Sequence, residues 1–81
     1  MEEKNSQIDY NILLATIASN VKKYRLAKGW SQEDLAYSAD IDRTYIGYIE
    51  NAKHNISIKK LCQICNALNV NLEDLLLPSQ S

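Results

Sequence analysis

The sequence predicts an all-α fold, five helices packed around one small core. Breakers are scarce, with two Gly and one Pro in 81 residues, and there is no Phe. Apolar residues recur at three- and four-residue spacing, the period of a helix with one buried face. Ser31, Asp42, Ser57 and Asn71 each stand directly before such a stretch, where a helix needs a capping side chain. A chain of this length makes one domain, near the lower limit for a self-sufficient core.

In order, residues 1–8 are polar and charged without periodicity and read as a flexible tail. A helix follows from Asp9 or Asn11 to Lys28. Ile17, Val21 and Tyr24 form its face, and Leu13 and Leu14 extend it backwards. Lys22, Lys23 and Lys28 cluster toward its end, where cations suit the dipole. Gly29 is placed to end it in the left-handed region. Trp30 is an apolar plug. Ser31 caps a second helix, Gln32 to Ala39, with Asp34 as a weaker partner than the Glu or Gln that a capping box prefers. Leu35, Ala36 and Ala39 face the core. Asp40, Ile41 and Asp42 make a turn, with Ile41 pointing inward and Asp42 capping a third helix from Arg43 to about Asn51. Ile46 and Ile49 are its buried positions. Arg43, Thr44, Gly47 and Tyr48 are left outside, and Tyr45 is intermediate. Residues 51–57 form a polar loop. Ser57 caps a fourth helix to about Asn69, with Leu61, Ile64, Cys65 and Leu68 inward. Asn71 caps a short last helix, residues 72–77, stopped by Pro78. Residues 79–81 read as a tail, so the folded domain is expected over 9–78.

Net charge is −1, which alone does not suggest a polyanionic partner. The distribution is more informative. Residues 22–60 carry eight basic and five acidic groups, while the flanking segments are both net negative. No basic-then-apolar leader opens the chain, and no apolar run approaches the roughly 18–20 residues of a membrane span. A cytoplasmic protein without membrane association is expected. Cys62 and Cys65 lie three apart within a helical pattern. A structural zinc site takes about four ligands, and one distant His54 does not complete it. Redox C-x-x-C pairs usually accompany a βαβ pattern, absent here. With one histidine and no Gly-rich phosphate loop, no catalytic constellation is credible. No metal, no cofactor and no enzyme activity are expected.

The span Ser31–Glu50 thus reads as two short helices around a tight turn, the second bearing reaching side chains. The residues R-L-A-K-G-W-S-Q-E-D-L-A at 25–36, I-D-R-T-Y-I-G-Y-I-E at 41–50 and K-K-L-C-Q-I-C-N-A-L-N-V-N-L-E-D-L-L at 59–76 match a known pattern. Arg25–Leu76 resembles the Cro/C1-type (XRE) helix-turn-helix repressors of bacteria and their phages. E-D-L-A-Y, then D-R-T-Y-I and N-I-S-I-K, look like the controller proteins of restriction-modification systems. The resemblance implies a compact lambda-repressor-like fold with the helix-turn-helix at helices 2 and 3, and a homodimer on a palindromic operator of double-stranded DNA. One departure is visible: the turn position that is often Gly in the family is Asp40, a residue that tolerates the left-handed region better than most.

Site residues follow from that frame. Arg43 is the candidate for direct readout, since a guanidinium can bond guanine O6 and N7 together; its alternative is surface pairing with Asp40 or Asp42. Thr44 can hydrogen-bond or meet a thymine methyl. Tyr48 is a candidate DNA contact, and Tyr45 combines partial burial with such a contact. Gln32, opening the second helix, would meet a phosphate; the family also uses it to brace the recognition helix. Asn51, Lys53 and Asn55 would grip the DNA backbone, which sets register without reading sequence. The resemblance implies that Arg25 and Glu50 bridge the first and third helices as a structural ion pair. Leu72, Leu75, Leu76 and Leu77 offer more apolar surface than a monomer face needs and are the candidate dimer interface. An activator would also need a surface for RNA polymerase, with Glu33 and Asp34 as candidates. The same fold also serves antitoxins and protein-interaction adaptors, and that alternative stays open.

Overall fold

A computed structural model describes residues 8–53 and 56–78. They form five helices: α1 (Tyr10–Ala27), α2 (Gln32–Ala39), α3 (Arg43–Glu50), α4 (Ile58–Leu68) and α5 (Leu72–Leu76). No strand occurs among the described residues. α1 packs on α3 and α5, and α2 on α3 and α4. The core lies where these helices meet. Leu35, Ile46, Ile49 and Ile64 are fully buried there, with Val21 from α1 and Leu75 from α5. No helix among the described residues is long and apolar enough to cross a membrane.

Each helix start is satisfied by a nearby side chain. Asp9 accepts from the N–H groups of Asn11 and Ile12 at 3.0 and 3.1 Å, starting α1. The box at α2 is complete: Asp34 N–H donates to Ser31 Oγ at 3.0 Å, and Ser31 N–H to Asp34 Oδ2 at 2.9 Å. The shorter aspartate therefore closes the reciprocal pair that was expected to be weak. Ser57 Oγ accepts from Lys60 N–H at 3.0 Å. At α5, Asn71 N–H donates to Asp74 Oδ2 at 2.9 Å.

Four helices end in one recurring way. After α1, α2, α3 and α4 a residue turns left-handed: Gly29, Asp40, Ala52 and Asn69, with φ of 72, 58, 57 and 60°. At each end the next N–H reaches back five residues: Trp30 to Arg25 O, Ile41 to Ala36 O, Lys53 to Tyr48 O and Val70 to Cys65 O. This is the paired Schellman pattern, which uses carbonyls that a helix end leaves orphaned. Gly, Asp and Asn suit the left-handed turn, but Ala52 carries a Cβ that crowds the following carbonyl. Ala52→Gly should therefore stabilise the protein, by about 0.5–1 kcal/mol after glycine's greater freedom in the unfolded chain is subtracted. Thermal unfolding followed by circular dichroism checks this; a lowered midpoint would contradict it.

The C-terminus is held from an unexpected direction. Asn20, on α1, is buried, and its amide donates both hydrogens to backbone carbonyls: Leu75 O at 2.9 Å and Leu77 O at 2.8 Å. Those carbonyls belong to the end of α5, where no intrahelical partner remains. The helix stops at Leu76, one residue earlier than its sequence suggests, and Leu77 is extended. This bears on the leucines expected at a dimer surface. Leu75 has no exposed area and completes the monomer core, because Asn20 draws the end of α5 onto α1. Leu72 and Leu76 are half-buried against the same core, and only Leu77, 60% exposed, points freely outward.

Candidate nucleic-acid interface

The angle between α2 and α3 is set by small and branched residues meeting across the turn. Ala36 and Ala39 let α3 approach, and Ile41, buried in the turn, meets the core with Ile46 and Ile49. Asp40 takes the left-handed conformation, and Ile41 N–H closes on Ala36 O at 2.9 Å. Asp42 Oδ1 then accepts from Thr44 N–H at 3.4 Å and starts α3. With Ile46 and Ile49 facing inward, Arg43, Thr44 and Tyr48 stand on the exposed side. No carboxylate among the described residues pairs with Arg43, so its guanidinium is available to an outside acceptor. Asn51 and Lys53 follow immediately, both exposed. Asn55 and His54 lie outside the described residues.

A buried polar network locks α3 to the rest of the chain. Arg25 Nε donates to Glu50 Oε2 at 2.7 Å and Nη2 to Oε1 at 3.0 Å, a two-pronged pair between α1 and α3. Arg25 Nη1 donates to Trp30 O at 2.7 Å. Gln32 Nε2 adds a bond to Glu50 Oε1 at 3.1 Å. The two charged side chains keep only 9% and 4% of their area accessible. The hydrogen bond to Glu50 is the main influence raising the Arg25 pKa, against a smaller opposing effect of burial. The side-chain amide of Gln32 is thus occupied within the protein, while Ser31, Gln32, Glu33, Arg25 and Arg43 line one shallow depression on the outside. A group placed there would meet the N-terminus of α2 and the Arg43 side chain at once.

Tyr45 is a brace as well as a surface residue. Its hydroxyl accepts from Ser57 N–H at 2.8 Å, and the Lys60 ammonium lies 5.6 Å from its ring centroid. α3 is thereby tied to the start of α4 across the loop that carries Lys53. A second tie was not anticipated: Gln63, on α4, donates from Nε2 to Ala39 O at 3.0 Å and Asp40 O at 3.3 Å. It holds the helix-turn-helix turn from behind. Neither Gln63 nor Lys60 stood out in the sequence, because their partners lie on other helices.

The cysteines do not join the site. Cys62 is exposed and Cys65 buried, and both are free thiols. Burial is the first cause pushing the Cys65 thiol up, with Cys62 and Asp74 adding to it. Among the described residues no cluster of His, Cys, Asp or Glu could hold a metal ion.

Comparison with known proteins gives this geometry its context. Residues 21–75 match the family model HTH_3, helix-turn-helix. The crystal structure of the hypothetical transcription factor NHTF from Neisseria superposes with a TM-score of 0.81 at 37% identity, covering 98% of this chain and 91% of that one. The restriction-modification controller protein C.AhdI from Aeromonas hydrophila superposes with a TM-score of 0.73 at 32% identity, covering 76% of this chain and 94% of that one. The control protein C.BamHI of Bacillus amyloliquefaciens is 39% identical over 67 residues, 82% of this chain and 83% of its own length. An all-α fold with α2 and α3 set at a fixed angle, an arginine opening α3 with its charge turned outward, and these matches together place the chain in the HTH_3 (XRE-type) helix-turn-helix family of DNA-binding transcriptional regulators, with restriction-modification controller proteins among its relatives.

Proposed function

We propose that this chain acts as a homodimer on an inverted-repeat operator of double-stranded DNA, as the controller protein of a restriction-modification system. The observation that carries the reading is the outward face of α3: Arg43, Thr44 and Tyr48 are exposed, and Arg43 has no carboxylate partner among the described residues. An α-helix fits the major groove, and residues near its N-terminus reach base edges. In this reading Arg43 and Thr44 read bases, with Tyr48 and the edge of Tyr45 beside them. Gln32 presents its backbone N–H to a phosphate, and Asn51, Lys53 and Asn55 hold the DNA backbone. Leu77, with the exposed edges of Leu72 and Leu76, supplies the dimer contact. The modest net charge fits a protein whose affinity depends on two copies acting together.

Selection from a pool of random-sequence duplexes tests the proposal. Wild-type protein should enrich an inverted repeat with half-sites about one helical turn, roughly 34 Å, apart. Affinity for it should fall steeply as salt rises, because binding to phosphates releases counterions. Recovery of no preferred sequence, or a single unrepeated half-site bound by a monomer, would overturn it.

A further inference from the structure

The exposed face of α3 is bordered by one residue, half-buried rather than left fully outside as its spacing suggests, that the described residues do not explain. Gly47 lies in the middle of an eight-residue helix. Only proline is a poorer helix former, because glycine gives up the most backbone freedom on ordering. The position does not require a left-handed backbone; among the glycines only Gly29 has that conformation. Nor is it crowded: a Cβ built on Gly47 meets nothing within 4 Å. Glycine here weakens the isolated helix, and no close packing among the described residues calls for it.

Its surroundings on the helix surface indicate where the compensation lies. Residues four apart stand one above the other on a helix, so Arg43, Gly47 and Asn51 form one row. Thr44 and Tyr48 form the adjacent row. Arg43, Thr44, Tyr48 and Asn51 are all exposed, and each carries a polar side chain that reaches outward. Gly47, itself half-buried, lies on the side of these two rows nearer the buried face, so the missing side chain leaves a gap at the flank of the exposed face, bordered by longer side chains. We propose that Gly47 is a positioning residue of the DNA interface: the gap admits a base edge of the major groove against the α3 backbone, which lets the helix sit deep enough for Arg43 and Tyr48 to reach. This inference rests on the DNA-binding reading above. It concerns the depth of seating rather than any contact made by a side chain of Gly47, which has none. A Cβ at this position would hold the helix away from the bases. Random-sequence DNA, bound mainly through phosphates touched elsewhere, would not notice it.

Gly47→Ala separates the two roles. The variant should unfold roughly 4–8 °C higher than wild type, as a helix-interior Gly-to-Ala change predicts in a domain of this size. Its affinity for the duplex that wild type enriches should fall about tenfold or more, the scale of one missing base interaction. Its affinity for a random-sequence duplex at the same salt should stay within about twofold. A lower unfolding temperature would overturn the proposal, since the fold itself would then need the glycine. So would unchanged affinity for the selected duplex, or an equal loss on random DNA. If wild type itself prefers no sequence, the underlying DNA reading fails as well, an outcome distinct from wild type discriminating normally and Gly47→Ala doing the same.

Discussion

Glu50→Ala should lower the unfolding free energy by about 3–5 kcal/mol, the usual result of stranding one member of a buried ion pair. The Arg25 guanidinium would keep its bond to Trp30 O but lose both bonds to carboxylate. It cannot shed its proton, and at 9% side-chain exposure it cannot turn freely into solvent. The Gln32 amide would lose its acceptor at the same time. A folded domain typically has only about 5–15 kcal/mol in hand, so the variant would be marginal at room temperature. Urea titration measures the effect: the midpoint should fall with little change in slope. Replacing both partners by apolar residues, Arg25→Met with Glu50→Leu, should cost much less, because no charge is then buried alone. A loss below about 1 kcal/mol for Glu50→Ala would put the pair with exposed ion pairs and leave the orientation of α3 to the core alone.

Arg43→Ala should leave stability nearly unchanged and collapse discrimination between operator and random DNA. One bidentate arginine–guanine pair contributes roughly 1–3 kcal/mol, so a dimer using it twice would lose about 2–6 kcal/mol of discrimination if the half-sites act independently. The side chain is exposed, without a carboxylate partner among the described residues, and belongs to the first turn of α3, so its removal leaves no buried group unsatisfied. Lys53→Ala gives the contrast. It should weaken selected and random duplexes alike and reduce the salt slope by about one for each phosphate left without its lysine. Competition binding at two salt concentrations distinguishes the two. Equal discrimination by wild type and Arg43→Ala would remove Arg43 from the reading set.

Most of the architecture was legible because it is written locally. Helix starts at Ser31, Asp42, Ser57 and Asn71 are decided by a side chain and the backbone within three residues of it, and the apolar rows follow the helical period. What was hidden is long-range and polar. Asn20 reaches carbonyls 55 and 57 residues away. It did leave a trace, since it sits three residues after Ile17 and one before Val21, an amide at the edge of an otherwise apolar stripe. Gln63 left none: its partners are backbone carbonyls, which every sequence has. The four leucines at 72–77 show a different limit. Counting them suggested an outward surface, whereas their spacing separates them. Leu72, Leu75 and Leu76 fall on one side of a helix and pack inward, and Leu77 falls off it. In the helix-turn-helix, Arg43, Thr44 and Tyr48 could be assigned to the exposed face from the positions of Ile46 and Ile49. The bond from Ser57 to Tyr45 could not, because it depends on where a different helix begins.

Asn20 and Arg25 stand on the same helix, five residues and about 7.5 Å of rise apart. One pins the end of α5 and the other pins the end of α3. In the proposed dimer, α1 would therefore act as a ruler between the surface that joins two copies and the surface that reads bases. Neither end is free to swing. A single base pair added between half-sites would rotate the second one by about 35° about the DNA axis, and a protein built on a fixed ruler has no joint with which to follow it. Tolerance of spacer length would have to come from the twisting of the DNA, which makes the gap between half-sites as much a part of the recognised sequence as the bases that Arg43 meets.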